Sequence, residues 1–206
     1  MEISLEKVGK KFEREWIFQN LSLDLKINDR IVIKGGNGSG KSTLLQILLG
    51  RSIPSIGSIK FKVNGKLIDP SEVYKFCSIA SPYLELIEDF TLIELLETHF
   101  SLVTLKPGIS LKDIPEILYL EKDKYKPVYQ YSSGMKQRVK LALAILSDTP
   151  LLLLDEPTSN LDKKGIEWYQ KILQDNMNNR IIAVASNEKI EEYSFTEKEI
   201  SIENFK

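Results

Sequence analysis

Leu151, Leu152, Leu153 and Leu154, followed at once by Asp155, Glu156 and Pro157, make an abrupt switch from apolar to polar positions. Four leucines with no polar residue between them predict a central parallel strand covered on both faces. The runs Ile31 to Ile33, Phe76 to Ile79 and Ile181 to Ala185 predict further strands, and Thr43 to Leu49 predicts a helix. Shorter strands are expected at Ile3 to Val8, Leu21 to Ile27 and Ile59 to Val63, and helical stretches near Thr91 to Val103 and Lys112 to Leu120. A helix from about Ser133 buries Val139, Leu141, Ala142 and Ile145. This order predicts an α/β core, an antiparallel β layer from the N-terminal third, and an inserted α-helical subdomain. There is no internal repeat, low-complexity linker or heptad array, and the regular order ends at about Ala185, with a short tail after Glu191.

Chemistry enters between the strand at Ile31 and the helix at Thr43. Gly35, Gly36, Asn37, Gly38, Ser39, Gly40, Lys41, Ser42 and Thr43 carry the G-x-x-x-x-G-K-[ST] pattern of a phosphate-binding P-loop. The glycines let backbone N–H groups converge on one point, and the following helix aims its positive end there. Lys41 reaches the outer phosphates as a point charge, and the Ser42 hydroxyl is suited to Mg²⁺. A glycine-rich turn that merely caps a helix is the simpler alternative, but the flanking strand and helix are the setting the motif requires.

In an open parallel sheet the ligand crevice lies at the carboxyl ends of the strands, so Asp155 and Glu156 are expected beside the P-loop. Asp155 is assigned to the metal through its water shell, and Glu156 to polarising the attacking water as general base. An ordinary acidic turn after a strand would have the same composition.

Tyr131, Ser132, Ser133, Gly134, Met135, Lys136, Gln137 and Arg138 precede that acidic strand. Here the chain resembles the ATP-binding subunits of ABC transporters, whose signature is commonly written LSGGQ. The Ser-Ser-Gly-Met wording and the short tail are most similar to exporter-type subunits of the ABC-2 and haem-exporter kind. Ser132 or Ser133 can also cap a helix whose first N–H groups form an anion site. The resemblance covers nearly the whole chain and implies one P-loop NTPase domain, with residues 1–81 and 132–206 as nucleotide-binding core and about 82–131 as helical subdomain. It implies ATP and Mg²⁺ as cofactors. It further implies a homodimer in the ATP-bound state, each ATP lying between one chain's P-loop and the other chain's Ser132, Ser133 and Gly134. Thr158 to Asp162 match the family's D-loop, a segment that touches the opposite subunit, and the resemblance counts Asp162 with the nucleotide site; Phe12 holds the place of an aromatic that stacks on adenine, with Trp16 as its competitor. The implied partner is a transmembrane permease, with the chain peripheral on the cytoplasmic face of the membrane.

Two departures bear on rate. The family's Q-loop glutamine is absent from Ala80, Ser81, Pro82 and Tyr83, and its switch histidine is replaced at Ser186, Asn187 and Glu188. Asn187 can donate a hydrogen bond to a terminal phosphate but cannot ionise or shuttle a proton. The sole histidine, His99, falls in the helical region and is expected to be a surface or packing residue.

Composition narrows the classes. The chain has 206 residues, 42% hydrophobic, with 28 basic against 29 acidic side chains. That balance gives no nucleic-acid surface, and the clusters Lys10, Lys11, Arg14 and Lys122, Lys124, Lys126 are interleaved with acids. Cys77 is the only cysteine, so no internal disulfide is possible, and its apolar surroundings predict burial. No stretch has transmembrane length, and Met1, Glu2, Ile3 do not open a signal peptide. The leading expectation is an ATPase subunit energising a separate permease, with a lean to export. A soluble ABC-type ATPase uncoupled from transport and a slow regulatory nucleotide-binding module are the alternatives.

Overall fold

The computed structural model describes all residues, Met1–Lys206. A long hairpin of β1 (Glu2–Phe12) and β2 (Glu15–Lys26) leads into β3 (Arg30–Lys34), the phosphate-loop segment and α1 (Lys41–Leu48). Then come β4 (Ile56–Val63), β5 (Lys66–Ile68) and β6 (Cys77–Ala80), followed by a helical region with α2 (Leu92–Leu102) and α3 (Ile114–Ile117). The chain returns through α4 (Ser133–Ile145) to β7 (Leu151–Asp155), α5 (Lys163–Asn176), β8 (Ile181–Ser186), α6 (Ile190–Tyr193) and β9 (Lys198–Ser201). The antiparallel sheet has the order β2-β1-β4-β5, and the parallel sheet the order β6-β7-β8-β3-β9.

The central strands β3, β7 and β8 carry unbroken apolar runs because each face of the sheet meets a different core. Leu151 and Leu153, with Ile31, Ile33, Ile181 and Ala183, pack toward α1 and the antiparallel sheet. Leu152 and Leu154, with Val32, Ile182 and Val184, pack toward α4, α5 and the helical region. Burying each leucine, isoleucine or valine among them contributes roughly 1.5–3 kcal/mol. This double burial fixes the register Asp155↔Ala185 and Lys34↔Ser186, which brings three strand ends to one edge.

Several expected boundaries move. β1 and β2 run well past the predicted Ile3 to Val8 and Leu21 to Ile27, through register shifts between Leu5 and Lys11 that let charged residues pair in the hairpin. α2 starts after Thr91 as expected, held by a capping box in which Thr91 and Glu94 exchange bonds. The helix expected over Lys112 to Leu120 is shorter. A 3-10 turn at Leu111–Asp113 precedes α3, and Tyr119, with φ 58, ends it. β9 was not expected. It pairs in parallel with β3 and delivers a 3-10 turn, Ile202–Phe205, beneath the phosphate loop. His99 is part-buried and bonded to Ser147 Oγ at 3.1 Å, a packing position, and Cys77 is part-buried against the core.

Candidate functional site

β3, β7 and β8 end side by side, and the segments that follow β3, β6 and β7 line a cavity of about 660 Å³ with Ile17 of β2. Its floor is the segment Asn37 to Thr43. Gly38 (φ 74) and Gly40 (φ 110) take left-handed conformations, and a Cβ on Gly40 would stand 2.5 Å from Ile17 Cγ2. Glycine at position 40 is therefore dictated by both backbone and hairpin packing. Lys41 is 5% exposed, and its ammonium donates to the carbonyls of Gly35 at 2.8 Å and Gly36 at 2.9 Å. Gly35 and Gly36 thus hold the lysine from behind and do not line the cavity. Ser39 Oγ is buried with no partner, a polar atom waiting for an acceptor or donor from outside the chain.

Asp155 and Glu156 form the opposite wall. Burial raises the carboxyl pKa of Asp155. The Ser42 hydroxyl opposes that shift by hydrogen bonding, the Glu156 charge adds to it, and the Lys41 charge opposes it. Ser81 Oγ approaches Asp155 Oδ2 at 3.5 Å, and Ser42, Gln46, Ser81 and Asp155 share an adjoining cavity of about 130 Å³. Glu156 has φ 45, rare outside glycine, and is held there by its N–H bonding to Ala185 O at 2.9 Å. Glu156 lines the cavity beside Ser159, whose hydroxyl approaches its Oε2 at 3.5 Å.

Asn187 leaves the end of β8 exposed and donates from Nδ2 to Asn37 Oδ1 at 3.2 Å, which brings the switch position against the phosphate loop. Other expected residues lie apart from the cavity. Ser132 caps α4, accepting from Met135 N at 3.3 Å, and Ser132 and Ser133 are exposed. A Cβ on Gly134 would lie 3.0 Å from Asn160 O, so the start of α4 packs on the loop after the acids. Asp162 does not face the cavity, because its Oδ1 caps α5 through Gly165 N at 2.8 Å. Phe12 is also outside. It is 53% exposed at the tip of the hairpin under Lys10, while Trp16 lies beside Lys11 and Ile17 takes the place against the cavity. The hairpin register, which no periodicity revealed, put Ile17 there. Pro82, Tyr83, Ser159 and Asn160 also line the cavity. Adjacency to the expected acids could have pointed to Ser159 and Asn160.

The residues fit a Mg²⁺-nucleoside triphosphate. The unpartnered Ser39 hydroxyl and the glycine-lined floor suit phosphate oxygens, and Ser42 with Asp155 are hard oxygen donors appropriate to an ion that keeps water and phosphate in its shell. No cluster of three or more His, Cys, Asp or Glu offers an all-protein metal cage.

Comparison with known proteins identifies the family. The family model for the ABC transporter matches residues 18–159. A Helicobacter pylori protein named for iron chelatin transport as an ATP-binding protein is 31% identical over 91% of this chain and 77% of its own length. A lantibiotic transport ATP-binding protein of Streptococcus pyogenes is 30% identical over 84% and 73%, and a zinc import ATP-binding protein of Pasteurella multocida is 34% identical over 84% and 61%. Among solved structures, a dimeric bacterial ABC transporter cassette is 25% identical with a TM-score of 0.75, covering 98% of this chain and 95% of that one. An ABC transporter ATP-binding protein from Pyrococcus furiosus shares the fold at a TM-score of 0.79 and 19% identity, covering 100% and 99%.

Proposed function

The chain belongs to the ABC transporter family of ATP-binding subunits, and on that premise we propose that it hydrolyses ATP in a Mg²⁺-dependent reaction to energise a separate transmembrane permease. The observation that carries this reading is the meeting of Lys41, Asp155, Glu156 and the Asn187–Asn37 pair at one sheet edge, while Ser132 and Ser133 face solvent elsewhere. Half of a site faces the cavity and the other half faces outward. A head-to-tail homodimer closes both halves, with two equivalent sites related by a two-fold axis.

Each residue then has a role. The segment Asn37 to Thr43 receives the phosphates through backbone N–H groups and the first turn of α1, and Lys41 neutralises the outer phosphates. Ser42, and Asp155 through its water shell, would hold Mg²⁺, which would supply neutralisation of developing phosphate charge. Glu156 orients the attacking water and takes its proton, and Asn187 exchanges Asn37 for a γ-phosphate oxygen. Phe12 reaches adenine only if the hairpin tip bends over the cavity. Asp162 acts indirectly, by setting where the loop Thr158 to Asp162 enters α5.

We assign residues 1–81 and 132–206 to the nucleotide-binding core and about 82–131 to the helical subdomain that meets the permease. No helix is long and apolar enough to cross a membrane. The same proposal places the chain on the cytoplasmic face, attached through the permease. Export is supported by the Ser-Ser-Gly signature wording alone, because relatives named for zinc import and for lantibiotic transport are similarly distant. A slow regulatory module is the competing reading, favoured by the lack of a glutamine at 80–83 and of a histidine at 187. Steady-state phosphate release with ATP, with and without Mg²⁺, separates them. Turnover well above that of Glu156→Gln supports the ATPase, and turnover equal to it supports the slow module.

A further inference from the structure

Glu192 is the only acidic side chain with no exposed surface, and no lysine or arginine pairs with it. Glu191 and Glu192 are neighbours in sequence, yet α6 leaves the first exposed and turns the second inward. Its carboxylate is satisfied entirely by neutral donors. Oε1 accepts from Thr158 N at 3.2 Å and Thr158 Oγ1 at 2.6 Å, and Oε2 accepts from Ser186 Oγ at 2.5 Å. Those donors belong to different functional segments. Thr158 opens the loop that presents Ser159 and Asn160 to the cavity, and Ser186 immediately precedes Asn187. The backbone of Glu192 is itself fixed, since its carbonyl accepts from Tyr169 Oη of α5 at 2.8 Å.

A buried carboxylate is tolerated only while its donors stay in place, and these donors come from two segments. The bracket therefore resists separation of the two segments. We propose that Glu192 is a positioning residue that ties the loop Thr158 to Asp162 and the Asn187 switch into one moving unit. A displacement of Asn187 on meeting the terminal phosphate is thereby passed to Asn160, which touches the signature turn at Gly134. The proposal rests on the ATPase reading above for its kinetic consequence, but the mechanical link stands on the bonds alone.

Three variants test it. Glu192→Gln keeps an acceptor for Thr158 and can donate to Ser186 Oγ, whose own proton is then free. Glu192→Asp keeps the charge but is one methylene too short to span both segments, and Glu192→Ala removes the bracket. Hydrogen exchange without nucleotide should accelerate together in residues 157–162 and 186–190 of the Asp and Ala variants, and stay near wild type in the Gln variant. In ATP hydrolysis the Asp and Ala variants should lose about tenfold or more in kcat with KM for ATP within about twofold, while Gln stays within about threefold of wild type. Exchange that rises in only one segment, or equally throughout β7 and β8, overturns the bracket. So does a Gln variant as slow as Ala. If Glu192→Ala does not fold, the comparison of Asp with Gln decides alone. A wild type without ATPase activity defeats the proposed function, and the exchange data then judge the bracket by themselves.

Discussion

Replacing Asn187 by alanine separates a catalytic contact from a surface one by magnitude. In the structure its Nδ2 donates to Asn37 Oδ1 at 3.2 Å, an exposed bond between two neutral amides. Such a bond contributes about 0.5–1 kcal/mol, so unfolding stability should fall by no more than that. If the same N–H₂ serves a γ-phosphate oxygen, it bonds to an anion and contributes about 1.5–3 kcal/mol. At about 1.4 kcal/mol per factor of ten, kcat should drop roughly 10- to 150-fold in Asn187→Ala. The pH profile adds a second criterion. Amides do not ionise, so wild type should show no switch-residue titration near the reference histidine value of about 6.5. His99 does not supply one, because it is part-buried at Ser147, away from the cavity, and burial lowers its pKa. Asn187→His should restore a donor and introduce a pH-dependent limb near pH 6.5. Steady-state phosphate release from pH 5.5 to 9, with chemical denaturation as the stability control, provides both readings. A loss of less than about threefold in Asn187→Ala would refute the contact, since it would equal the surface bond alone.

Lys41→Ala should weaken binding of a fluorescent ATP analogue and abolish turnover while the melting temperature changes by only about 5 °C, because only two carbonyl bonds are lost. Unchanged affinity and turnover would remove the phosphate-loop assignment. Arg180 is fully buried, and burial lowers its pKa. It donates to the carbonyls of Ile145, Ser147 and Thr149, closing the end of α4 onto the turn before β7. Arg180→Met strands the carbonyls of Ile145 and Thr149, while that of Ser147 keeps the N–H of Thr149 at 3.0 Å, and should cost about 3–5 kcal/mol in urea unfolding, whereas a cost under 1 kcal/mol would show that the clamp is not needed.

The meeting of the glycine-rich loop with the acidic strand end was legible because its signals are local. Four leucines before two acids imply a strand buried on both faces, and the glycine-lysine-serine run implies the loop beside it. Burial of Leu151 to Leu154 in two separate cores agrees with that reading. What escaped depends on pairing between distant segments. The polar hairpin from Lys10 to Glu15 looks like a loop until its register is known, and that register sets Ile17, not Phe12, against the cavity. β9 was hidden because it is an edge strand with exposed Lys198 and Glu199, which lacks the apolar run of the central strands. Glu192 was hidden for the opposite reason, since nothing in a Glu-Glu pair marks one member for burial. The shortening of α3 was partly visible in Pro115, though not the left-handed Tyr119 that stops it.

The mass of Glu156→Gln in light scattering, with and without Mg-ATP, tests the central claim most directly. Loss of a positioned general base should slow hydrolysis by about 10²–10⁴-fold while binding survives. The 23.5 kDa chain should therefore be monomeric without nucleotide and double in mass with Mg-ATP, while wild type, hydrolysing its ATP, returns to monomer. A variant that stays monomeric with ATP bound, or that hydrolyses ATP at the wild-type rate, would contradict the account of two half-sites closed by a second copy and fired by Glu156.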